Sequence, residues 1–233
     1  IVIVLCLPII EVFGYDEHWS IVKMTSSERH LSHGQARWDQ NNQHYKSTND
    51  VFLESGLFSI IVLAYGRHEI TRQSVLSTID CLERSKEAIE WIFVENGHNN
   101  DNAAFFDGGL QLERKVIIRQ RNYGINEGLN QGWALSRGEF AMIHENDWLN
   151  IALKLDFLAI AKDIFDSKES VGIIQLRDPF DPNENFGFGK PLYNPWSCSP
   201  KELAKHNIKV WPESTPKGHK YLLSEYPNGF NNN

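Results

Sequence analysis

Cysteine is scarce in this chain of 233 residues, and the three that are present, Cys6, Cys81 and Cys198, lie far apart. None of them belongs to a C-x-x-C pair, which is typical of structural zinc sites and of redox-active dithiols. Three widely spaced cysteines also do not provide the framework of a small disulfide-stabilised domain. The sequence therefore predicts a fold that depends on its hydrophobic core and is compatible with a reducing compartment.

Long hydrophobic runs are missing as well. The apolar run IVIVLCLPII covers residues 1–10, about half of the roughly 20 residues that a membrane-spanning helix needs. Two interpretations stay open for this run: a buried first strand, or the end of a truncated membrane anchor or signal segment. The localisation is therefore open between cytoplasmic and membrane-associated, and a missing or truncated N-terminal segment would supply the membrane association.

Positive charge is in deficit, because 23 lysines and arginines face 30 aspartates and glutamates, which gives a net charge of -7. An acidic chain repels the phosphates of nucleic acids at long range, so we expect no nucleic-acid partner. A small anionic ligand would need local positive dipoles or a bridging cation.

Strand and helix patterns alternate through the middle of the chain, with short apolar runs as strands and apolar residues three or four apart as helices. The predicted strands are 59–65, 89–96, 115–120, 140–145 and 171–176, and the predicted helices are 75–82, 126–137 and 151–165. The polar segment HNNDN after the second strand is interpreted as a loop. This alternation predicts an α/β fold with a mostly parallel sheet flanked by helices, similar to a Rossmann fold.

Composition divides the chain into three parts. Residues 1–56 are predicted to be an irregular N-terminal lead-in, and residues 57–177 an α/β domain. Eight of the nine prolines follow residue 178, so residues 178–233 are predicted to be a loop-rich region.

Polar residues follow three of the predicted strands: Ala64-Tyr65-Gly66-Arg67, Glu95-Asn96-Gly97 and Glu145-Asn146-Asp147. Because the carboxyl ends of parallel strands lie at one edge of the sheet, these segments are expected to line one cleft.

The carboxylates of Glu145 and Asp147 stand two residues apart where a strand breaks into a turn. In that arrangement both can approach one Mg²⁺ or Mn²⁺ ion that bridges to phosphate oxygens. The alternative is that Asp147 caps the helix near Ile151 and that Glu145 is a solvated strand end. The side chain of His144 points away from that of Glu145 on a strand, which predicts a packed histidine.

A glycine-rich stretch, NYGINEGLNQGWALSRGEF, covers residues 122–140. Its glycines at 124, 128, 132 and 138 are expected to let the backbone pass close to a ligand. The helix start near Asn126 offers N–H groups to an anion. The stretch is neither G-x-G-x-x-G nor G-x-x-x-x-G-K-[ST], so dinucleotide and P-loop sites lose support.

In their order and spacing these motifs resemble the family-2 glycosyltransferases, which have the type A fold of nucleotide-diphospho-sugar transferases. SIIVLAYGR at 59–67, FVENGH at 93–98, the glycine-rich stretch and Glu145-Asn146-Asp147 match four motifs of that family. The resemblance covers roughly residues 57–150. It implies a nucleoside-diphosphate sugar as donor, a carbohydrate or glycoconjugate as acceptor, and Mn²⁺ or Mg²⁺ as the metal.

Roles for individual residues follow from the resemblance alone. It implies that Ala64 and Tyr65 pack on the base and that Glu95 accepts a hydrogen bond from it. Asp147 would bind the metal, and Glu145 would face the ribose or reach the metal through water. The other nucleotide-binding candidates are Arg67 and Asn96 in the same motifs, Asn122 and Gly124 under the nucleoside, and Asn130 further along the helix.

The sequence departs from the family pattern at several of these positions. Gly66 replaces the usual Asn, Leu129 stands where Arg is common, and Glu95 and Glu145 are each one methylene longer than the expected Asp. These changes alter the geometry of the site and remove one positive charge that would face a diphosphate.

The resemblance implies an inverting displacement in which a general base deprotonates the acceptor hydroxyl. Candidates for the base are Asp178, Asp181 and Glu225, and the base is otherwise expected beyond Asn233. Two alternatives remain: a catalytically inactive sugar-binding, nucleotide-binding or scaffold domain of the same fold, and a sugar nucleotidyltransferase. The second would need a basic, glycine-rich loop after the first strand, and GRHEITRQ is not one.

Overall fold

The computed structural model describes residues 2–6, 19–23, 36–39, 44–47, 53–97, 99–146, 156–176, 199–205 and 207–225. By its contacts the chain forms two compact units. The larger unit is Val22–Leu158, and the second unit combines Ile1–Ile21 with Ala159–Asn233. This division differs from the boundaries after residues 56 and 177 that the composition predicts.

Eleven strands and five helices make up the regular structure of the described residues. The strands are β1 (Val2–Cys6), β2 (Trp19–Lys23), β3 (Ala36–Asp39), β4 (His44–Ser47), β5 (Glu54–Ala64), β6 (Ala88–Asn96), β7 (Lys115–Gln120), β8 (Gly138–Glu145), β9 (Val171–Leu176), β10 (Lys209–Ser214) and β11 (Lys220–Glu225). The helices are α1 (His68–Leu82), α2 (Asn100–Gly108), α3 (Ile125–Leu135), α4 (Phe157–Ser167) and α5 (Pro200–Lys205).

A four-stranded parallel sheet forms the centre of the larger unit, in the order β8-β5-β6-β7. Every residue of β5 from Phe58 to Ala64 is buried, because helices cover both faces of the sheet. Such strands are near-continuous apolar runs, which is why the sequence showed them clearly. The predicted α/β fold with a parallel sheet is confirmed, and all five predicted strands are present.

The helices cover opposite faces of this sheet. Phe106 of α2 stacks on Phe93 with ring centroids 4.4 Å apart, and Thr78 of α1 is hydrogen-bonded to His144 at 2.7 Å. Leu129 and Trp133 of α3 pack on the other face. His144 is fully buried, as predicted.

Two glycines allow α3 to lie unusually close to the sheet. A Cβ on Gly128 would be 2.4 Å from Leu63 Cδ1, and a Cβ on Gly132 would be 2.4 Å from Ile61 Cγ2. A Cβ on Gly138 would meet the backbone oxygen of Leu57 at 2.6 Å. The close approach that these three glycines allow in the structure is to the sheet, and their approach to a ligand stays a prediction.

Helix α2 replaces the loop that the polar segment HNNDN predicted. The Asn99 side chain caps the helix by accepting a hydrogen bond from the Asn102 N–H at 2.9 Å. At the other end, Lys115 Nζ donates to the carbonyl oxygens of Phe106 at 3.0 Å and Leu110 at 2.9 Å, and also to that of Asp107. A cap at one end and an ammonium group on the last carbonyls stabilise a short helix in a polar segment.

The buried carboxylate of Glu90 forms an ion pair with the half-exposed Arg137 side chain at the amino-terminal side of the sheet, which the sequence did not predict. One carboxylate oxygen accepts hydrogen bonds from Ser59 Oγ and from the Arg137 N–H, both at 2.6 Å. The other lies 3.0 Å from the Arg137 guanidinium. Since both oxygens have partners, the buried charge is compensated.

The second unit contains β1, which pairs in parallel with β9 and antiparallel with β11. Val2–Cys6 is therefore a strand, one of the two interpretations of the apolar run. Strands β10 and β11 form an antiparallel hairpin. The loop-rich region predicted for 178–233 thus contains regular structure between 200 and 225, and β2, β3 and β4 lie within the predicted irregular lead-in.

The turn of the β10–β11 hairpin is bound to α4 through Asp163. This buried carboxylate lies 3.0 Å from Lys217 Nζ and 2.8 Å from His219 Nδ1. Burial opposes ionisation of Asp163, but hydrogen bonds from Thr215, Lys217 and His219 outweigh it and hold the pKa of the carboxyl below its ordinary value.

Of the helix predicted for 151–165, residues 151–155 lie outside the described residues, Asp156 is not helical, and α4 begins at Phe157. Within the described ranges, each helix is too short or too polar to cross a membrane.

Candidate functional site

The carboxyl ends of β5, β6 and β8 lie at one edge of the sheet, as the sequence predicted. The register places Ala64 opposite Glu95 and Leu63 opposite Glu145. The three polar segments that follow these strands therefore begin at the same edge, although they are far apart in the sequence.

The turn after β5 has an uncommon backbone conformation. Gly66 and Arg67 both have positive φ angles, +60° and 45°. A non-glycine residue in this region is strained, and such strain is often found at functional sites. The Gly66 carbonyl accepts hydrogen bonds from Asn102 Nδ2 at 2.9 Å and from Thr71 Oγ1 at 3.4 Å, which hold the turn.

Tyr65 and Glu95 come together around Gly97. A Cβ on Gly97 would lie 2.6 Å from Tyr65 Cδ2 and 3.5 Å from Glu95 Oε1, so the tyrosine ring rests on the glycine backbone. The Tyr65 side chain is 56% exposed. Glu95 is fully buried, and its Oε1 accepts a hydrogen bond from the Asn99 N–H at 3.1 Å. The structure thus provides an exposed aromatic surface beside a buried carboxylate.

Asn96 connects the end of β6 to the loop between β7 and α3. Its Nδ2 donates to the Gly124 carbonyl at 3.0 Å, and its Oδ1 accepts from Gln120 Nε2 at 2.8 Å and from the Tyr123 N–H at 3.3 Å. The side chain is buried. Asn96 was a predicted nucleotide contact, and in this structure both ends of its amide bind the protein.

The loop that Asn96 holds is exposed to solvent. Asn122 Oδ1 accepts a hydrogen bond from the Gly124 N–H at 2.9 Å, which shapes the turn before α3. Gly124 has a φ of +91°, and a Cβ added to it would have no atom within 4 Å. Tyr123 and Ile125 are 47% and 61% exposed. Asn130 is also exposed, further along α3.

Glu145 and Glu95 share an edge of the sheet but point to opposite faces. Glu145 pairs with Leu63, whose side chain contacts α3, whereas Glu95 binds the start of α2. Asn146, which follows Glu145, donates to Thr71 Oγ1 of α1 at 2.7 Å. The carboxylates of the predicted site therefore approach the edge from two sides.

Several predicted residues lie outside the part of the chain whose side chains are described: Asp147, Asp178, Asp181 and Glu225. Within that part, no three His, Cys, Asp or Glu side chains lie close enough together to hold a metal ion. Mn²⁺ or Mg²⁺ at Glu145 and Asp147 therefore stays a prediction.

The sequence did not single out Thr71 or Asn102, the buried polar residues that hold the site. Each binds the Gly66 carbonyl, and each connects a helix to the edge of the sheet. Both lie in the first turn of a helix that follows a predicted strand end. This position was the available signal, since polar residues there can bind the backbone of the preceding turn.

Comparison of the chain with protein-family models gives no match, and comparison with curated proteins gives none. The resemblance to family-2 glycosyltransferases thus depends on the four motifs in the sequence.

Proposed function

We propose that this chain is the donor-binding part of a glycosyltransferase that moves a sugar from a nucleoside-diphosphate sugar to an acceptor hydroxyl. The observation that carries the proposal is the position of Tyr65 on Gly97, next to Glu95, at the carboxyl edge of a parallel sheet. An α/β sheet binds ligands at this edge. The family resemblance of the four motifs implies a nucleotide at the same edge.

The base would stack on Tyr65. An exposed aromatic ring held against backbone is a suitable platform for a nucleobase, and such stacking contributes about 1–3 kcal/mol per base. Glu95 supplies a carboxylate acceptor next to the ring, on the same side of Gly97. The same carboxylate accepts a hydrogen bond from the Asn99 N–H, which fixes the start of α2 beside the ring.

The diphosphate would lie between the Asn122–Gly124 loop and the acidic turn. Glu145 and Asp147 carry oxygen ligands of the kind that Mn²⁺ and Mg²⁺ prefer. A bound ion would neutralise charge on the departing nucleoside diphosphate. In this proposal the general base comes from the acceptor side and removes the proton of the acceptor hydroxyl, and the reaction inverts the anomeric carbon.

The platform can be tested with two substitutions that act on the same ring. Tyr65→Ala removes it, and Gly97→Ala places a methyl group where the ring now lies, so the ring must move. We expect each to weaken binding of uridine or guanosine diphosphate with MnCl₂ about tenfold or more, by isothermal titration calorimetry. Tyr65→Phe and Gly108→Ala are the matched controls, because the first keeps the ring and the second adds a methyl group in open space.

Asp147→Ala tests the metal. If the proposal holds, this variant loses the part of nucleotide affinity that depends on Mn²⁺. Equal binding by Asp147→Ala and the unsubstituted chain would instead favour an inactive binding domain. Absence of binding by either nucleotide, with a folded protein, would reject the donor site itself.

A further inference from the structure

A groove of about 370 Å³ lies between α1 and α2 in the larger unit. Its volume is within the range of small-molecule sites, about 300–1,000 Å³. The residues that line it are His68, Arg72, Leu76, Asp101, Ala104, Phe105 and Gly109. This set includes none of Tyr65, Glu95 and Glu145, and its first residue, His68, directly follows Arg67.

The lining residues follow helical spacing and form successive layers. His68 and Asp101 lie in the first turns of α1 and α2. Arg72 and Phe105 follow four residues later, about 6 Å further along each helix at 1.5 Å per residue. Leu76 is one turn beyond Arg72. The groove therefore begins with polar groups and continues over an aromatic ring to an apolar end.

Arg72 and Asp101 carry opposite charges in the same groove without pairing. Among the described residues neither makes an ion pair, and the contact of the Arg72 guanidinium is with the Phe105 ring, whose centroid is 5.9 Å away. That contact restrains the guanidinium and leaves its N–H donors available. An unpaired cation and an unpaired anion in one groove match a ligand that carries both charges.

The hydrogen bonds of Asn102 determine which nitrogen of His68 carries the proton. Asn102 Nδ2 donates to the Gly66 carbonyl at 2.9 Å, so the oxygen of the same amide is the atom that faces His68 Nδ1 at 3.1 Å. An amide oxygen only accepts, so Nδ1 must be the donor. In the neutral ring Nε2 is therefore an acceptor, on a residue that lines the groove beside Asp101.

We propose that this groove binds a small zwitterion with an apolar portion, the chemical class of the aliphatic α-amino acids. Its carboxylate would pair with Arg72, and its ammonium group would donate to Asp101 and His68 Nε2. Phe105, Ala104 and Leu76 would contact the apolar portion. A purely anionic ligand would be repelled by Asp101, and a purely cationic ligand by Arg72.

Three probes of similar shape test the proposal: L-leucine, 4-methylpentanoate, which lacks the ammonium group, and 3-methylbutylamine, which lacks the carboxylate. We expect leucine to bind with a Kd of about 1 mM and to shift the NMR signals of the groove residues, and each analogue to bind at least about tenfold more weakly. Arg72→Gln and Asp101→Asn should each weaken leucine binding to a similar degree. Arg84→Gln and Asp107→Asn, charges on or next to the same helices that do not line the groove, should leave it unchanged.

The outcomes separate the possible sites. If leucine and 4-methylpentanoate bind equally well, the groove is a site for anions. If leucine does not shift the NMR signals of the groove residues, the groove is not a binding site. Either result overturns the proposal. So would unchanged leucine binding by Arg72→Gln and Asp101→Asn. Tyr65→Ala should not alter leucine binding, so failure of the donor proposal leaves this one standing.

Discussion

Asn96 shows how one side chain can organise the edge of a sheet through its hydrogen bonds to the protein. Its buried amide makes hydrogen bonds with four residues of the 120–124 segment: Gln120, Asn122, Tyr123 and Gly124. The whole segment before α3 is thereby held at the end of β6.

We predict that Asn96→Ala lowers the free energy of unfolding by about 1–3 kcal/mol, because buried partners lose their hydrogen bonds. Urea denaturation measures the change, and hydrogen exchange should show faster opening at Tyr123 and Gly124. Asn130→Ala is the control, since Asn130 is exposed on α3 and its loss should change stability by no more than about 0.5 kcal/mol. A similar effect of both substitutions would contradict the role given to Asn96.

At the scale of elements, the contact of α3 with the sheet depends on the absence of two side chains. We predict that Gly132→Ala destabilises the protein by about 1–3 kcal/mol, because its methyl group would lie 2.4 Å from Ile61 Cγ2 and the helix must shift. Gly108→Ala, with nothing within 4 Å of the new methyl group, should be neutral or stabilising by up to about 1 kcal/mol. The melting temperatures of the two variants, measured by thermal unfolding, test this prediction. If Gly132→Ala is as stable as the unsubstituted protein, α3 can move away from the sheet without cost.

The anchor between α4 and the β10–β11 hairpin should depend on pH. Because the folded pKa of Asp163 lies below its ordinary value of about 3.9, its ionised form stabilises the fold above that value. This contribution is lost as the pH falls through the lower, folded pKa. We predict that the difference in urea midpoint between the unsubstituted chain and Asp163→Asn is largest near pH 7 and shrinks below about pH 4. Asp166→Asn, an exposed position on the same helix, should show no such difference, and a gap that stays constant with pH would refute the assignment.

Elements of the larger unit were predictable where burial on two faces made the strands apolar throughout. Ile60 to Ala64 and Trp91 to Val94 are such runs. Helix α2 was not predicted, because its first residues, Asn100 to Asn102, are polar and its apolar residues cluster in one turn at Ala103, Phe105 and Phe106. The cap at Asn99 was the signal that the sequence offered.

The sequence was sufficient to predict at which edge of the sheet the candidate site lies, but not the directions in which its side chains point. Parallel strands bring Tyr65 and Glu95 to one edge regardless of side-chain packing, so the alternation of elements was sufficient. The opposite orientation of Glu145 depends on the register of β8 against β5, which no local pattern specifies. The role of Gly128 in helix packing likewise depends on a partner, Leu63, that is distant in the sequence.

For the whole molecule, a net charge of -7 opposes the approach of a nucleoside diphosphate. We therefore predict that chelation of divalent ions by EDTA weakens uridine diphosphate binding by about tenfold or more, measured by titration calorimetry. Uridine, which lacks phosphates, is the matched control and should bind equally with and without Mn²⁺. Equal loss for both compounds would point to a structural effect of the metal and not to contact with phosphate.

Consecutive residues at the end of β6 serve different helices: Glu95 binds the start of α2, and Asn96 binds the loop before α3. A deletion or insertion of one residue within this strand would turn each of these side chains to the opposite face of the sheet. Glu95 would then face α3, and Asn96 would face α2. The length of β6 is therefore constrained more strictly than its apolar composition, and sequence drift in this segment should proceed by substitution without gaps.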